Sequence, residues 1–351
     1  MAPSEQKALI ISSKGGEFAV GNATVPSPGA GEVLARVDAT ALNPIDWKVQ
    51  RGGYEDLIQY PGILGSDAAG VVEEVGESVT TLQKGDKIVW QGMFKNDRAT
   101  FQQYTVVSAD LAAKIPPNVT VDEAATIPLG LATAFLALYN TKRVGQAGGA
   151  ELTPFWKSSS AYAGQPFVLL GGATSVGQFV IQLARLSGFS PIIATASAKH
   201  ADYLESLGAT HVLSRSLPAD ALASEIADIA LHPVKIVYDA VGVAETQKTA
   251  WSLLAPGGRL ILVLPAAEGI VHGVENKELV QVFGNVNYPG QDEVGRELYA
   301  HLGRWLQDGA IRPNRVQVLP NGLAGIPDGL ELLRQEKVSG VKLVAYPHET
   351  P

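Results

Sequence analysis

The chain has 351 residues, which at roughly 150 residues per domain gives about two domains. Hydrophobic residues make up 46% and charged residues 18%, against roughly 25% charged in an average globular protein, so the balance excludes a disordered chain. The net charge is −8 and no basic run exceeds Lys142-Arg143, which excludes the cationic stripe of a nucleic-acid binder. No apolar run approaches the roughly 18–20 residues of a membrane span, and Met1–Lys7 has no signal-peptide core. The expectation is a cytoplasmic protein with no nucleic-acid and no membrane partner.

Cysteine is absent, which removes disulfides, thiolate catalysis, thiolate zinc sites and iron–sulfur clusters. The histidines are His200, His211, His232, His272, His301 and His348. A metal site in the first 199 residues would therefore be all-oxygen.

In chain order, residues 1–125 read as short β-runs punctuated by Gly and Pro, among them 31–37, 70–75, 87–90 and 101–107. Such spacing predicts a compact β-rich domain, barrel-like in character. Helices are predicted near 121–125 and from Pro128 through Tyr139. The stretch 145–164, with Gly148-Gly149 and Ser158-Ser159-Ser160, reads as an irregular surface insertion. From Gln165 strands and helices alternate: strands at 166–170, 191–196, 211–213, 234–239 and 259–264, helices at 175–186, 199–207, 218–231 and 245–254. That alternation predicts an α/β fold with a doubly wound parallel sheet. Beyond 279–286 come a helix (293–306), a strand (316–319), a helix (324–334) and a strand (341–345), a tail that returns to the first domain.

Gly171-Gly-Ala-Thr-Ser-Val-Gly177 joins the first strand of the alternating half to its first helix. Gly172 and Gly177 fit the outer glycines of Gly-x-Gly-x-x-Gly, with Thr174 in the middle. Amides at such a helix start point at a pyrophosphate and the helix dipole favours its charge. Thr174 and Ser175 offer hydroxyl donors, and Val176 completes the turn. After the second strand the sequence reads Ala194-Thr-Ala-Ser-Ala-Lys-His200, with no carboxylate before Asp202. A ribose 2′-OH calls for a carboxylate there, a 2′-phosphate for cations and hydroxyls. Ser197, Lys199 and His200, with Arg215 beyond the next strand, therefore point to NADPH over NADH.

These residues resemble the medium-chain dehydrogenase/reductase superfamily, in its zinc-independent quinone and enoyl reductase branch. The segments that carry the likeness are Pro61-Gly-Ile-Leu-Gly-Ser-Asp-Ala-Ala-Gly-Val-Val-Glu-Glu-Val-Gly76 with Lys84-Gly-Asp-Lys-Ile-Val89, and Leu42-Asn-Pro-Ile-Asp-Trp-Lys48. Val237-Tyr-Asp-Ala-Val-Gly242, Gly257-Gly-Arg259 and Val338-Ser-Gly-Val-Lys-Leu-Val344 extend it along nearly the whole chain. The insertion and the ending around Gly322-Leu323 and Val338–Lys342 are most similar to fungal trans-acting enoyl reductases of polyketide biosynthesis. The resemblance implies a GroES-like domain from both chain ends (1–128 and 288–351), a Rossmann NADPH-binding domain (129–287), and a site in a cleft. Zinc alcohol dehydrogenases of the superfamily carry Cys near position 43 and a Gly-His-Glu motif; this chain has Asn43-Pro44 and Gly65-Ser66-Asp67, so no metal is expected.

Hydride transfer to a simple ketone or aldehyde concentrates charge on one oxygen and calls for a Lewis acid or strong proton donor. Hydride delivered to the β-carbon of an enone or enoyl thioester spreads charge into an enolate, for which hydrogen-bond donors suffice. The resemblance places Lys48 where related quinone reductases carry a Tyr, as donor to or orienter of the substrate carbonyl. With an ordinary pKa of about 10.4 it is a poor acid, which favours orientation. Asn43 and Asp46 are expected to hold the loop by backbone hydrogen bonds; Ile45, Asp46 and Trp47 are also candidate cofactor contacts, and Trp47 either lines the pocket or packs. Thr133 is the helix hydroxyl the family turns toward the nicotinamide ribose or substrate. Val241, Leu264, Pro265, Val338 and Ser339 fall where family backbones border the nicotinamide. Phe283 and Tyr288 are pocket walls or core.

The expected activity is thus NADPH-dependent reduction of an unsaturated carbonyl, free or carrier-bound. Quinone reduction and a non-catalytic NADPH-binding role stand as alternatives. The family pairs sheets into dimers along the 259–264 region, while the fungal subgroup includes monomers, so both a monomer and a homodimer remain open.

Overall fold

The computed structural model describes residues 2–143 and 147–351, and the chain forms two units. The first takes the chain up to Leu129 and again from Asn285 to Pro351; the second spans Gly130–Gly284. The return comes three residues before the expected 288. Its cause is local: the Val286 amide donates to Gln91 Oε1 and Asn287 Nδ2 to the Gln91 carbonyl, both at 2.9 Å.

In the first unit the short runs are strands β1 (Glu5–Ile11), β2 (Phe18–Thr24), β3 (Glu32–Ala41), β4 (Gly62–Ile63), β5 (Asp67–Val75), β6 (Lys87–Gln91), β7 (Tyr104–Ser108) and β8 (Ala112–Lys114). Helix α1 (Pro44–Gln50) follows β3, and α2 (Val121–Ala125) leads to α3 (Pro128–Tyr139). The 42–48 segment, expected as a loop, is therefore helical from Pro44 onward. Proline at the first helical position has its φ preset for the helix, and Asp46 Oδ2 accepts the Asn43 amide at 2.8 Å as one arm of a capping box.

The second unit is a six-stranded, wholly parallel sheet in the order β11-β10-β9-β12-β13-β14, built of β9 (Phe167–Leu170), β10 (Ile192–Ala196), β11 (His211–Ser214), β12 (Ile236–Asp239), β13 (Arg259–Leu262) and β14 (Glu278–Gln281). Both faces are covered by α4 (Ser175–Leu186), α5 (Ala201–Leu207), α6 (Ala219–Ala230) and α7 (Ala244–Leu253). This is why the central strands read as unbroken apolar runs such as Phe-Val-Leu-Leu, buried at every position. Strand order reverses between β9 and β12, which places the ligand crevice of such sheets at their carboxyl ends. The strand at 259–262 lies inside the sheet and β14 forms the edge, so the region expected at a pairing edge is not at one.

The chain then adds α8 (Asp292–Gln307), β15 (Val316–Val318), α9 (Ile326–Arg334) and β16 (Lys342–Ala345) to the first unit. Strand β16 pairs with β3 and completes the order β15-β16-β3-β5-β6-β8, with β7 on the flank of β3. One core fills this sheet with Val33, Val37, Val72, Ile88 and Trp90. A second lies under α1 and α9 with Leu42, Val49, Leu64, Phe101, Leu330 and Leu343.

Gly145 and Gln146, which open the expected insertion, lie outside the described residues. The rest of it is irregular in backbone but anchored rather than merely superficial. Trp156 stacks on Phe135 of α3 at 5.1 Å between ring centroids, Phe155 meets Trp156 edge-on, and Arg259 donates to the Ala150 carbonyl at 2.7 Å.

Candidate active site

In the second unit the expected phosphate turn sits at the crevice, between β9 and α4. Thr174 is the N-cap of α4: its hydroxyl donates to the Gly171 carbonyl and accepts the Gly177 amide, each at 2.9 Å. The Thr174 hydroxyl proton is thus spent inside the turn, and the residue shapes the anion site rather than offering its hydroxyl. The amides of Ala173 and Val176 donate to no protein acceptor among the described residues, so two donors and the positive end of a helix dipole face outward. Gly177 is required by proximity: a Cβ there would lie 2.3 Å from the Gly171 carbonyl oxygen.

At the end of β10, Ala196 pairs with Ser214 of β11, so Ser197 and Arg215 leave adjacent strands at the same level. The Arg215 amide binds the Ala196 carbonyl at 2.9 Å and its side chain is exposed, as is that of Lys199, while Ser197 is half-buried. His200 differs from these: it is buried, at 6% exposure.

On the other side of the switch point, Asp239 ends β12 and is buried. Its carboxylate accepts the amides of Val241 (2.9 Å) and Gly242 (3.0 Å) and the Thr246 hydroxyl (2.7 Å). Gln247 then ties the loops after β12 and β13 together. Its Nε2 donates to the carbonyls of Gly242 (2.9 Å) and Pro265 (3.0 Å), and its Oε1 accepts the Ala267 amide (2.7 Å). With these bonds made, the Val241 carbonyl and the Leu264 amide carry no hydrogen bond among the described residues. Gln247 escaped the sequence reading because a glutamine mid-helix gives no local sign of two loop partners. Thr133 is buried on α3 against Gly284, where a Cβ would lie 1.9 Å from the Thr133 hydroxyl. Phe283, next to that contact, is half-buried.

The first unit brings Ile45, Trp47 and Val338 together, half-buried on one core; Ser339 beside them is exposed. Lys48 lies with its ammonium 5.7 Å from the centre of the Trp47 ring, within cation–π range. Burial pushes the Lys48 ammonium below the ordinary lysine value, which makes it a readier proton donor than the sequence alone suggested. Tyr288 belongs to this unit and is exposed. The three expected pocket-wall residues therefore fall in different units, Trp47 and Tyr288 in the first and Phe283 in the second.

At the N-cap of α1, the helix that carries Lys48, is a corner that the sequence alone does not assemble. Lys342 of β16 is buried and its Nζ lies 2.9 Å from Asp67 Oδ2 and 2.6 Å from Asn43 Oδ1. Asn43 Nδ2 donates to the same Asp67 oxygen at 2.9 Å, and Asp67 Oδ1 accepts the Leu129 amide at 2.6 Å at the start of α3. Asp46 is fully buried beside them. Burial first, and the neighbouring Asp67 carboxylate second, push its carboxyl up to about 8 against the opposing amides of Asn43 and Gly65 and the Lys342 charge. The Ser66 hydroxyl is buried with no hydrogen-bond partner among the described residues.

Family models match at residues 29–117, an alcohol dehydrogenase GroES-like domain, and at residues 175–279, a zinc-binding dehydrogenase domain. A zinc-type alcohol dehydrogenase-like protein of Schizosaccharomyces pombe is 33% identical over 96% of this chain and 99% of its own. A trans-enoyl reductase of Gibberella fujikuroi is 30% identical over 97% and 99%. The chain belongs to the medium-chain dehydrogenase/reductase superfamily, among relatives that include the fungal trans-enoyl reductases. The fold agrees: a human synaptic vesicle membrane protein VAT-1 homolog-like protein superposes with a TM-score of 0.78 at 22% identity, over 99% of this chain and all of that one.

Membership in the superfamily implies a nicotinamide dinucleotide, and the turn fits one, with two outward amides at a twelve-residue helix start and a glycine that only a bare Cα satisfies. Membership also raises the question of zinc, and here the residues do not fit. The corner at Asn43, Ser66 and Asp67 offers an amide, a hydroxyl and one carboxylate already paired with an ammonium. No group of three or more metal-ligating side chains gathers among the described residues. No helix among them is long and apolar enough to cross a membrane.

Proposed function

We propose that this oxidoreductase is an NADPH-dependent, metal-independent reductase of α,β-unsaturated carbonyls, acting on an enoyl thioester or enone that is free or carrier-bound. The observation that carries this reading is the Lys342–Asp67–Asn43 corner. Where zinc members of the superfamily hold a Lewis acid, this chain has an internal ion pair, and an unactivated carbonyl has nothing there to polarise it. A conjugated acceptor asks less, because its charge is spread over an enolate. Relatives named as trans-enoyl reductases support the same class.

In this reading the α4 amides and dipole hold the pyrophosphate, and Ser197, Lys199 and Arg215 hold the 2′-phosphate. The choice of NADPH rests on those three side chains and on the missing carboxylate after β10. Asp239 and Gln247 fix the loops that present the Val241 carbonyl and the Leu264 amide. Bound at this site, the reduced cofactor supplies the hydride taken up by the β-carbon. Lys48, with its ammonium pushed toward easier proton loss, stabilises negative charge on the carbonyl oxygen. A proton taken from solvent at the α-carbon completes the saturated product.

Cofactor oxidation measured with an enoyl thioester, a small enone, a quinone and an aldehyde side by side, under NADPH and NADH, tests the proposal. Turnover of the first two with NADPH preferred is expected. Lys199→Ala with Arg215→Ala should erode that preference by about 10–100-fold, a loss of roughly 1.4–2.8 kcal/mol. Aldehyde turnover that a chelator abolishes would overturn the reading, and turnover of the quinone alone would move the protein to the quinone reductases.

A further inference from the structure

The buried corner raises a question that the reductase chemistry does not answer: why a cation is kept where it costs desolvation. Two charges taken out of water lose several kcal/mol each, and a buried pair is often no more stable than an apolar replacement. Lys342 is 4% exposed and Asp67 fully buried, so this pair carries that cost. Its geometry shows what the cost secures. The ammonium joins three segments far apart in the chain: β16 through Lys342 itself, the start of β5 through Asp67, and the N-cap of α1 through Asn43.

Both ends of the Asn43 side-chain amide are engaged on this corner. Oδ1 accepts from Lys342 and Nδ2 donates to Asp67, so the Asn43 side chain is clamped between opposite charges. The Asn43 amide is held in turn by Asp46. Helix α1 has only seven residues and begins at the next position. A helix that short does not sustain itself in water, so its place depends on what holds its first turn, and Lys48 rides on it. Burial pushes the Asp46 carboxyl up, which favours its neutral form beside the Lys342–Asp67 pair.

We propose that the Lys342 ammonium is a built-in cation that does the clamping work of a metal at the Asn43–Asp67 corner, fixing α1 and thereby the position of Lys48. Lys342 is a positioning residue: it acts through Asn43 and Asp67. The charge is fixed in the chain, so the corner needs no exchangeable ion and is indifferent to chelators. The inference rests on the reductase reading only in its activity arm.

Hydrogen exchange of the peptide covering 43–50 tests it directly, in the full chain and in Lys342→Met and the double variant Asp67→Asn/Lys342→Met. Lys342→Met should exchange at least about tenfold faster in 43–50 than the unaltered chain, with peptides of β9 and α4 unchanged. The double variant removes both charges, so it regains folding stability, yet residues 43–50 should stay fast because a thioether at position 342 offers no donor to Asn43 Oδ1 and an amide at position 67 holds Asn43 Nδ2 only by a neutral hydrogen bond. In the activity arm, kcat for an enone should fall about tenfold in both variants while KM for NADPH stays within about twofold. Wild-type protection of 43–50 in Lys342→Met overturns the proposal. So does recovery of that protection in the double variant, which would reduce the corner to a charge-balanced ion pair. Should Lys342→Met fail to fold, the double variant alone decides. If the unaltered chain turns over no acceptor at all, the reductase reading fails while the exchange result still stands or falls by itself.

Discussion

The turn between β9 and α4 and the corner at the N-cap of α1 both prepare a place for charge, and they do so by opposite means. The turn uses backbone: two outward amides, a helix dipole, a capped first turn and a glycine packed against a carbonyl 2.3 Å from where its Cβ would stand. Nothing there is ionised, so no desolvation is lost before an anion arrives. The corner uses ionised side chains buried together, with the partner charges supplied by strands of the same unit. A backbone site tolerates little change in shape; a charge site tolerates little change in charge. Substitutions that change one without the other separate the two designs.

The largest effect is expected from shape at the turn. Gly177→Val forces atoms into the Gly171 carbonyl and the Gly172 Cα. Stability should fall by at least about 3 kcal/mol, and NADPH affinity by more than about 100-fold, read by urea unfolding and by cofactor fluorescence titration. A variant that folds and binds normally would show that the turn has slack, and the contrast with the corner would break.

At the corner the matching test changes charge and keeps shape. Asp46, with its carboxyl pushed up to about 8, has an unfolded value of about 3.9. The folded chain therefore holds the extra proton between those values. Its contribution to stability is complete below the unfolded value and drains away as pH rises through the folded one, at most about 1.4 kcal/mol per pH unit. Asp46→Asn mimics the protonated acid and its amide oxygen still accepts from the Asn43 amide. The variant should match the unaltered chain near pH 4 and grow relatively more stable toward pH 8, followed by urea unfolding at pH 4, 6 and 8. A difference that stays flat with pH would mean that Asp46 is ionised in the fold.

The same contrast explains what the sequence could disclose. Helix 175–186 is read at its observed bounds because everything that defines it is local: a strand, a glycine turn, a capping threonine and a 3.6-residue apolar stripe. Ser197 and Arg215 are found at adjacent strand ends because parallel β10 and β11 place them so by topology alone. Helix α1 was missed although Asn43-Pro44 and Asp46 are an N-terminal signature, since seven residues are too few for periodicity to speak. Lys342 was invisible for another reason. Its partner Asn43 lies 299 residues away, and a lysine in a strand carries no mark of what it faces. The aromatic pair Phe155 and Trp156 was the available hint that the insertion is anchored.

A third test asks whether the turn's neighbours are held by shape or by bonds. Gln247 is buried and satisfies two carbonyls and one amide of the loops after β12 and β13. Gln247→Ala leaves them unpartnered, at a cost of about 2 kcal/mol. Because the loops then present the Val241 carbonyl and the Leu264 amide less firmly, KM for NADPH should rise about tenfold. Gln247→Glu separates the contributions, since it keeps the Ala267 acceptor and loses both donors. A full loss of stability with no change in KM would confine Gln247 to the core.

The smallest effect is also the sharpest discriminator, because Thr174 has two possible uses and the turn assigns it one. Its hydroxyl gives its proton to the Gly171 carbonyl and takes the Gly177 amide, so Thr174→Val should lose about 1 kcal/mol, the worth of an N-cap. Cofactor affinity should fall only in proportion, about fivefold, because the outward amides of Ala173 and Val176 are untouched. Thr174→Ser keeps the hydroxyl and should recover both quantities. If Thr174→Val instead lost 100-fold in affinity with its stability intact, the hydroxyl would be reaching the phosphate itself. The turn would then use side-chain donors as the corner uses side-chain charges, and the distinction between the two sites would narrow to whether the groups are ionised.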